Sequence, residues 1–170
     1  MARFTFFLIG LLAIAAGGGS RLLPASKCLQ LRALSGCYDF YRRYVIIPEN
    51  VKIAKEVVAF AGLGQRVEFL VGVLSNVTKD LKARAHNLDM VFLDHDKSFY
   101  LSDLKLLISE GFLKQGSVVI ADNVLIPGAP DYLAFMEESK DFVTKKHETE
   151  VEYMKHLKDM VTVSIYQGAT

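Results

Sequence analysis

Leu88-Asp89-Met90-Val91-Phe92-Leu93-Asp94 is an apolar run broken only by Asp89 and closed by an acid. Ser117-Val118-Val119-Ile120-Ala121-Asp122-Asn123 repeats the pattern further along the chain. Between the two runs, Leu101, Leu104, Leu107 and Ile108 fall on one helical face, and Gly111 follows as a stop. Apolar strand, amphipathic helix, apolar strand is the signature of a βαβ unit. Strands without polar alternation are buried on both faces, which is the habit of parallel sheets covered by helices.

The same rhythm extends outward. Pro48 opens a helix with Ile53, Ala54, Val57, Val58 and Ala61 at apolar spacing, and Gly62 ends it. Val67–Val71 reads as a short buried strand. Residues 75–85 read as a weaker helix with Val77, Leu81 and Ala85 inward. After the second acid-ended strand, Pro130 fits the first turn of a helix over residues 130–136. Residues 142–147 and 160–166 then read as an antiparallel pair at the sheet edge. The expected class is α/β: a mostly parallel sheet with helices on both faces and an antiparallel C-terminal hairpin.

Composition narrows the function. Half the residues are hydrophobic, enough for a packed core. Lys+Arg number 20 against Asp+Glu 19, and basic pairs such as Arg42-Arg43 and Lys145-Lys146 are short. A nucleic-acid partner is therefore not expected. Cys28 and Cys37 form no metal-ligand spacing, and whether they pair stays open.

Residues 1–20 carry Arg3, an apolar run over residues 4–16 and then Gly17-Gly18-Gly19-Ser20. The order is that of a signal peptide, and the run is short for a membrane span, which needs ~20 apolar residues. An uncleaved anchor, or a buried strand with a Gly-rich turn, stays open beside it. A signal would place the chain in the secretory pathway or on a membrane, touched only through residues 4–16; otherwise it is cytoplasmic. Residues 21–47, with Tyr38, Phe40, Tyr41 and Tyr44 in no clean period, read as irregular and foreign to the domain over residues 48–170.

In open α/β sheets, ligands bind beyond the carboxyl ends of the strands. If the two acid-ended strands are neighbours, Asp94, Asp122 and the Asn123 carbonyl converge there, with Lys97 three residues past Asp94. Hard oxygen donors suit Mg²⁺, which keeps waters or substrate oxygens in its shell. The competing reading is that acids after strands merely cap turns.

Two stretches carry a resemblance. Leu88-Asp89-Met90-Val91-Phe92-Leu93-Asp94-His95 resembles the metal-ligand strand of catechol O-methyltransferases. Gly116 to Val124, followed by Pro127-Gly128-Ala129-Pro130-Asp131, resembles that family's second metal motif; Glu152-Tyr153 and Ile165-Tyr166-Gln167-Gly168 match as well. The resemblance implies a Rossmann-like fold and Mg²⁺-dependent methyl transfer from S-adenosylmethionine to a catechol hydroxyl. It implies a monomer acting in catecholamine breakdown, neurotransmitters included. Residue by residue, Asp94, Asp122 and Asn123 match the metal ligands, and Lys97 the lysine that takes the catechol proton. Asn123, Glu152 and Lys97 match residues that grip the substrate, and Pro127 a residue beside the ring. Asp94 and His95 match positions beside the cofactor.

The chain also departs from the family. The acidic Gly-rich loop that holds the cofactor is not found in residues 8–20, and Ile47 stands near the place of the ribose-binding acid. Asp96 stands where the family has a tryptophan against the adenine. The first strand is thus expected to be missing or distorted, the N-terminal side truncated or altered, and cofactor binding weakened. The alternative function is an inactive fragment that binds metal or a partner but not the cofactor.

Overall fold

The computed structural model describes residues 11–15, 31–35, 48–65, 67–151 and 154–168. Its elements are β1 (Leu11–Ala15), β2 (Leu31–Ser35), α1 (Pro48–Phe60), β3 (Val67–Val71), α2 (Leu74–Arg84) and β4 (Leu88–Leu93). Then come a 3-10 turn (Lys97–Phe99), α3 (Tyr100–Ser109), β5 (Leu113–Ala121), a wide turn (Val124–Gly128), α4 (Pro130–Glu138), β6 (Phe142–Val151) and β7 (Met154–Tyr166).

The strands form one sheet in the order β3-β2-β1-β4-β5-β7-β6. The pairs β2–β3 and β4–β5 are parallel. β1 runs antiparallel to β2 and β4, and β7 antiparallel to β5 and β6. Following these pairings across the sheet, β2, β3, β4, β5 and β6 point one way, and β1 and β7 the other. The architecture is the expected Rossmann-like α/β sheet with a C-terminal hairpin. The distortion of its first strand is a reversal of direction.

Burial alternates along the central strands. Val91 and Leu93 of β4, Ser117, Val119 and Ala121 of β5, and Thr162, Ser164 and Tyr166 of β7 are buried on one face. Against them pack Leu74, Val77 and Leu81 of α2, Tyr100, Leu104 and Leu107 of α3, and Tyr132 and Met136 of α4. Polar side chains on this face find partners: Ser117 Oγ donates to Leu88 O at 2.6 Å, and Thr144 and Ser164 bond each other at 3.0 Å. Buried hydroxyls left unpaired would each cost about 1–3 kcal/mol.

Three features differ from the sequence reading. The opposite face of β5, β7 and β6 is not fully covered among the described residues: Val118 and Ile120 are half-buried, and Ile165 and Val143 exposed. In α1, Val51 turns inward while Ile53, Val57 and Phe60 are exposed, so the apolar stripe is not the buried one. Finally, Leu31–Ser35, inside the segment read as irregular, is a strand hydrogen-bonded on both sides. Pairing with two neighbours satisfies its backbone whatever the local propensity.

Of the apolar run over residues 4–16, Leu11–Ala15 is β1; the rest lies outside the described residues, as do Cys28 and Cys37. No helix among the described residues is long and apolar enough to cross a membrane.

Candidate active site at the β4 and β5 strand ends

Leu93 and Ala121 are register partners in the parallel β4–β5 pair, so Asp94 and Asp122 are the next residues on neighbouring strands. The Asp122 N–H donates to Leu93 O at 3.0 Å, which locks the two exits together. Beneath them, the buried Tyr100 hydroxyl lies 2.7 Å from Leu93 O and 3.0 Å from Asp122 O, donating into the pair of strand-end carbonyls. Tyr100 shares a helical face with Leu104 and Leu107, so the packing of α3 carries its hydroxyl to the strand ends.

Lys97 sits on the 3-10 turn after β4. Its Nζ lies 3.2 Å from Asp94 Oδ1 and donates to the Tyr100 hydroxyl at 2.7 Å. Both members of this ion pair are mostly buried. Burial pushes the Asp94 carboxyl above its ordinary value; the charge and hydrogen bond of Lys97 pull it down, the charge of Asp122 pushes it up, and His95 pulls it down. The net direction is up, because loss of water is the largest of these effects. Burial also raises the Tyr100 phenol, with Asp94 and Asp122 adding to the effect, so it stays a neutral donor.

Asn123 has left-handed backbone (φ 52°), which asparagine tolerates better than most residues. Its N–H donates to Asp122 Oδ1 at 2.8 Å and its Nδ2 to Asp159 Oδ2 at 2.8 Å. The following turn, which contains Pro127, packs against the Lys97–Phe99 turn. Pro127 itself is exposed on this rim. His95 is buried beside Tyr100, ring centroids 5.0 Å apart. Its Nε2 is 3.2 Å from Asp103 Oδ2 but without hydrogen-bond alignment, and neither ring nitrogen has a hydrogen-bond partner among the described residues. Glu152 lies outside the described residues.

Asp94, Asp122, Asn123 and Lys97 therefore share one edge, with His95 below it and Pro127 on the adjoining turn. Among the described residues no three His, Cys, Asp or Glu side chains gather as a metal cluster. The donors on offer are instead two carboxylates and one amide oxygen, a set that fits Mg²⁺ with open positions for water and substrate. Asp96 caps the 3-10 turn: its Oδ1 accepts from Ser98 N at 2.9 Å and Ser98 Oγ at 2.6 Å.

The sequence reading missed two residues, Tyr100 and Asp159. A tyrosine in phase with buried leucines, whose hydroxyl must find a partner, could have pointed to the strand ends. Asp159 sits just before the apolar run over residues 160–166 and resembles an ordinary flanking acid.

The O-methyltransferase family profile matches residues 44–165. The chain is 40% identical over 125 residues to a mouse catechol O-methyltransferase, covering 72% of this chain and 47% of that one. It is 39% identical over 127 residues to a probable O-methyltransferase of Mycobacterium tuberculosis, covering 70% and 54%. Among solved structures, the Bacillus cereus O-methyltransferase in complex with SAH superposes with a TM-score of 0.62 at 16% identity, over 72% of this chain and 60% of that one. The chain thus spans about half the length of these two curated relatives. With the family profile covering most of a chain folded as this one is, the protein belongs to the O-methyltransferase family.

Proposed function

We propose that the edge formed by Asp94, Asp122, Asn123 and Lys97 is the substrate side of a Mg²⁺-dependent site that transfers methyl from S-adenosylmethionine to a catechol hydroxyl. The observation that carries this reading is the placement of two acids at adjacent strand ends with a mostly buried lysine between acid and phenol. The mouse relative, named a catechol O-methyltransferase, supports the substrate class.

Asp94, Asp122 and the Asn123 carbonyl would hold the cation. When bound, it would lower the pKa of a chelated hydroxyl and fix the orientation of both catechol oxygens. Lys97 Nζ accepts the hydroxyl proton. When bound, S-adenosylmethionine would supply its sulfonium methyl to the catechol oxygen, the carbon–sulfur bond breaking and the sulfur leaving as a thioether. Alignment would supply much of the rate, with the catechol held at the strand ends by the residues above.

A second reading is favoured by Asp96, which caps a turn where the resembled family has an aromatic wall for adenine. In it, the chain binds cation and catechol but not the cofactor. An assay of labelled methyl transfer from S-adenosylmethionine to catechol separates the two. The first reading expects turnover that a chelator abolishes and that Lys97→Ala lowers by about 10²-fold or more. Turnover indifferent to the chelator would defeat the cation's role; absence of turnover and of cofactor binding would leave the second reading standing.

A further inference from the structure

We infer that Asp159 is a positioning residue that decides which atom of Asn123 faces the strand-end acids; this rests on the proposed cation site. Asp159 is wholly buried on β7, outside the set of matched residues. Its Oδ1 accepts from three backbone donors: Met160 N at 2.7 Å, Ile126 N at 3.1 Å and Leu125 N at 3.2 Å. Its Oδ2 accepts from Asn123 Nδ2 at 2.8 Å.

An ionised carboxylate can only accept, so the amide facing it must present its NH₂ group. The amide's two ends differ only in that one donates and the other accepts, and a neighbour fixes which is which. With Nδ2 committed to Asp159, the Asn123 carbonyl oxygen is the end left for a hard cation. The same carboxylate clamps the backbone of the turn that begins at the left-handed Asn123. One buried anion therefore sets both the place of Asn123 and its polarity.

The isosteric Asp159→Asn variant changes this arrangement in a defined way. Three backbone N–H groups require an oxygen at the Oδ1 position, so the new NH₂ falls opposite Asn123 Nδ2. Two donors cannot face each other, and the Asn123 amide turns over, directing its NH₂ at the cation site. Asn123→Asp in that background restores the pattern with roles exchanged: the amide now on β7 donates, the carboxylate now on the turn accepts, and an oxygen again faces the site. Asn123→Asp alone opposes two carboxylates and should unfold at lower temperature than the double variant.

The test is Mn²⁺ binding to the full chain by titration calorimetry, with circular dichroism melting of each variant. Wild type should bind saturably and Asp94→Asn should not. Asp159→Asn should bind at least about tenfold more weakly, the size of effect expected when a ligand's orienting partner is lost. The double variant should return to near wild-type affinity, a recovery that general loss of packing would not give. Equal binding by wild type and Asp159→Asn overturns the assignment alone. So does a double variant that fails to fold, or that binds no better than Asp159→Asn. No saturable binding by wild type defeats the cation site itself, and this assignment with it.

Discussion

Removing one oxygen at Tyr100 should loosen the whole strand-end platform. The hydroxyl is wholly buried, accepts from Lys97 Nζ at 2.7 Å, and donates into Leu93 O and Asp122 O at 2.7 and 3.0 Å. Tyr100→Phe keeps the ring, so no large cavity opens. A neutral hydrogen bond contributes about 0.5–1.5 kcal/mol and one involving a charged group about 1.5–3 kcal/mol. Their sum puts the loss at about 2–4 kcal/mol, or about 5–15 °C in Tm for a chain of this size. Urea unfolding followed by circular dichroism measures it directly. Because the phenol is raised above its ordinary value, the difference between wild type and Tyr100→Phe should be flat between roughly pH 6 and 9. A loss under about 0.5 kcal/mol would refute the idea that the hydroxyl ties β4 to β5, since even a single weak hydrogen bond exceeds it.

Asp94 carries a pH signature. Its folded-state carboxyl is raised, chiefly by burial, so the folded protein holds that proton more tightly than the unfolded chain. Its contribution to stability is present at acid pH and lost as pH rises through the raised value. Asp94→Asn removes this dependence: the stability of the variant relative to wild type should be greater at pH 7 than at pH 4, and thermal melts giving the opposite trend would contradict the burial argument. Asp96→Ala should cost about 1 kcal/mol, the usual worth of a lost N-terminal cap, read as a drop of about 2–4 °C in Tm.

The sequence was most legible where one force dominates. β4 is apolar but for Asp89, and the second half of β5, Ser117–Ala121, is nearly so, so these stretches and the acids that close them could be read without a structure; the polar start of β5, Lys114 to Gly116, could not. Elements whose state depends on partners were not legible. Leu31–Ser35 carries Arg32 amid small and apolar residues, and only pairing with β1 and β3 makes it a strand. In α1 the apolar positions admit more than one inward face, and tertiary packing chose Val51 over Ile53 and Val57. The hairpin of β6 and β7 extends well beyond the apolar pattern at its turn end. Its outer part, including Lys145, Glu148 and Lys158, is held by cross-strand pairing, not by burial. Asp159 shows the same limit at the site: an acid is visible in sequence, but four donors converging on it are not.

If the Asp94–Asp122–Asn123 edge binds a catechol through a divalent cation, it promotes loss of the catechol's proton. Nitrocatechol reports this directly, because its visible absorption shifts to longer wavelength when a hydroxyl ionises. The full chain should be titrated with Mg²⁺ in the presence of 4-nitrocatechol, at a pH where the free compound is mostly protonated and without methyl donor. The expected result is a saturable shift that requires Mg²⁺, is absent in Asp94→Asn, and needs no cofactor. A spectrum unchanged by the protein, or a shift that survives Asp94→Asn, would contradict the claim.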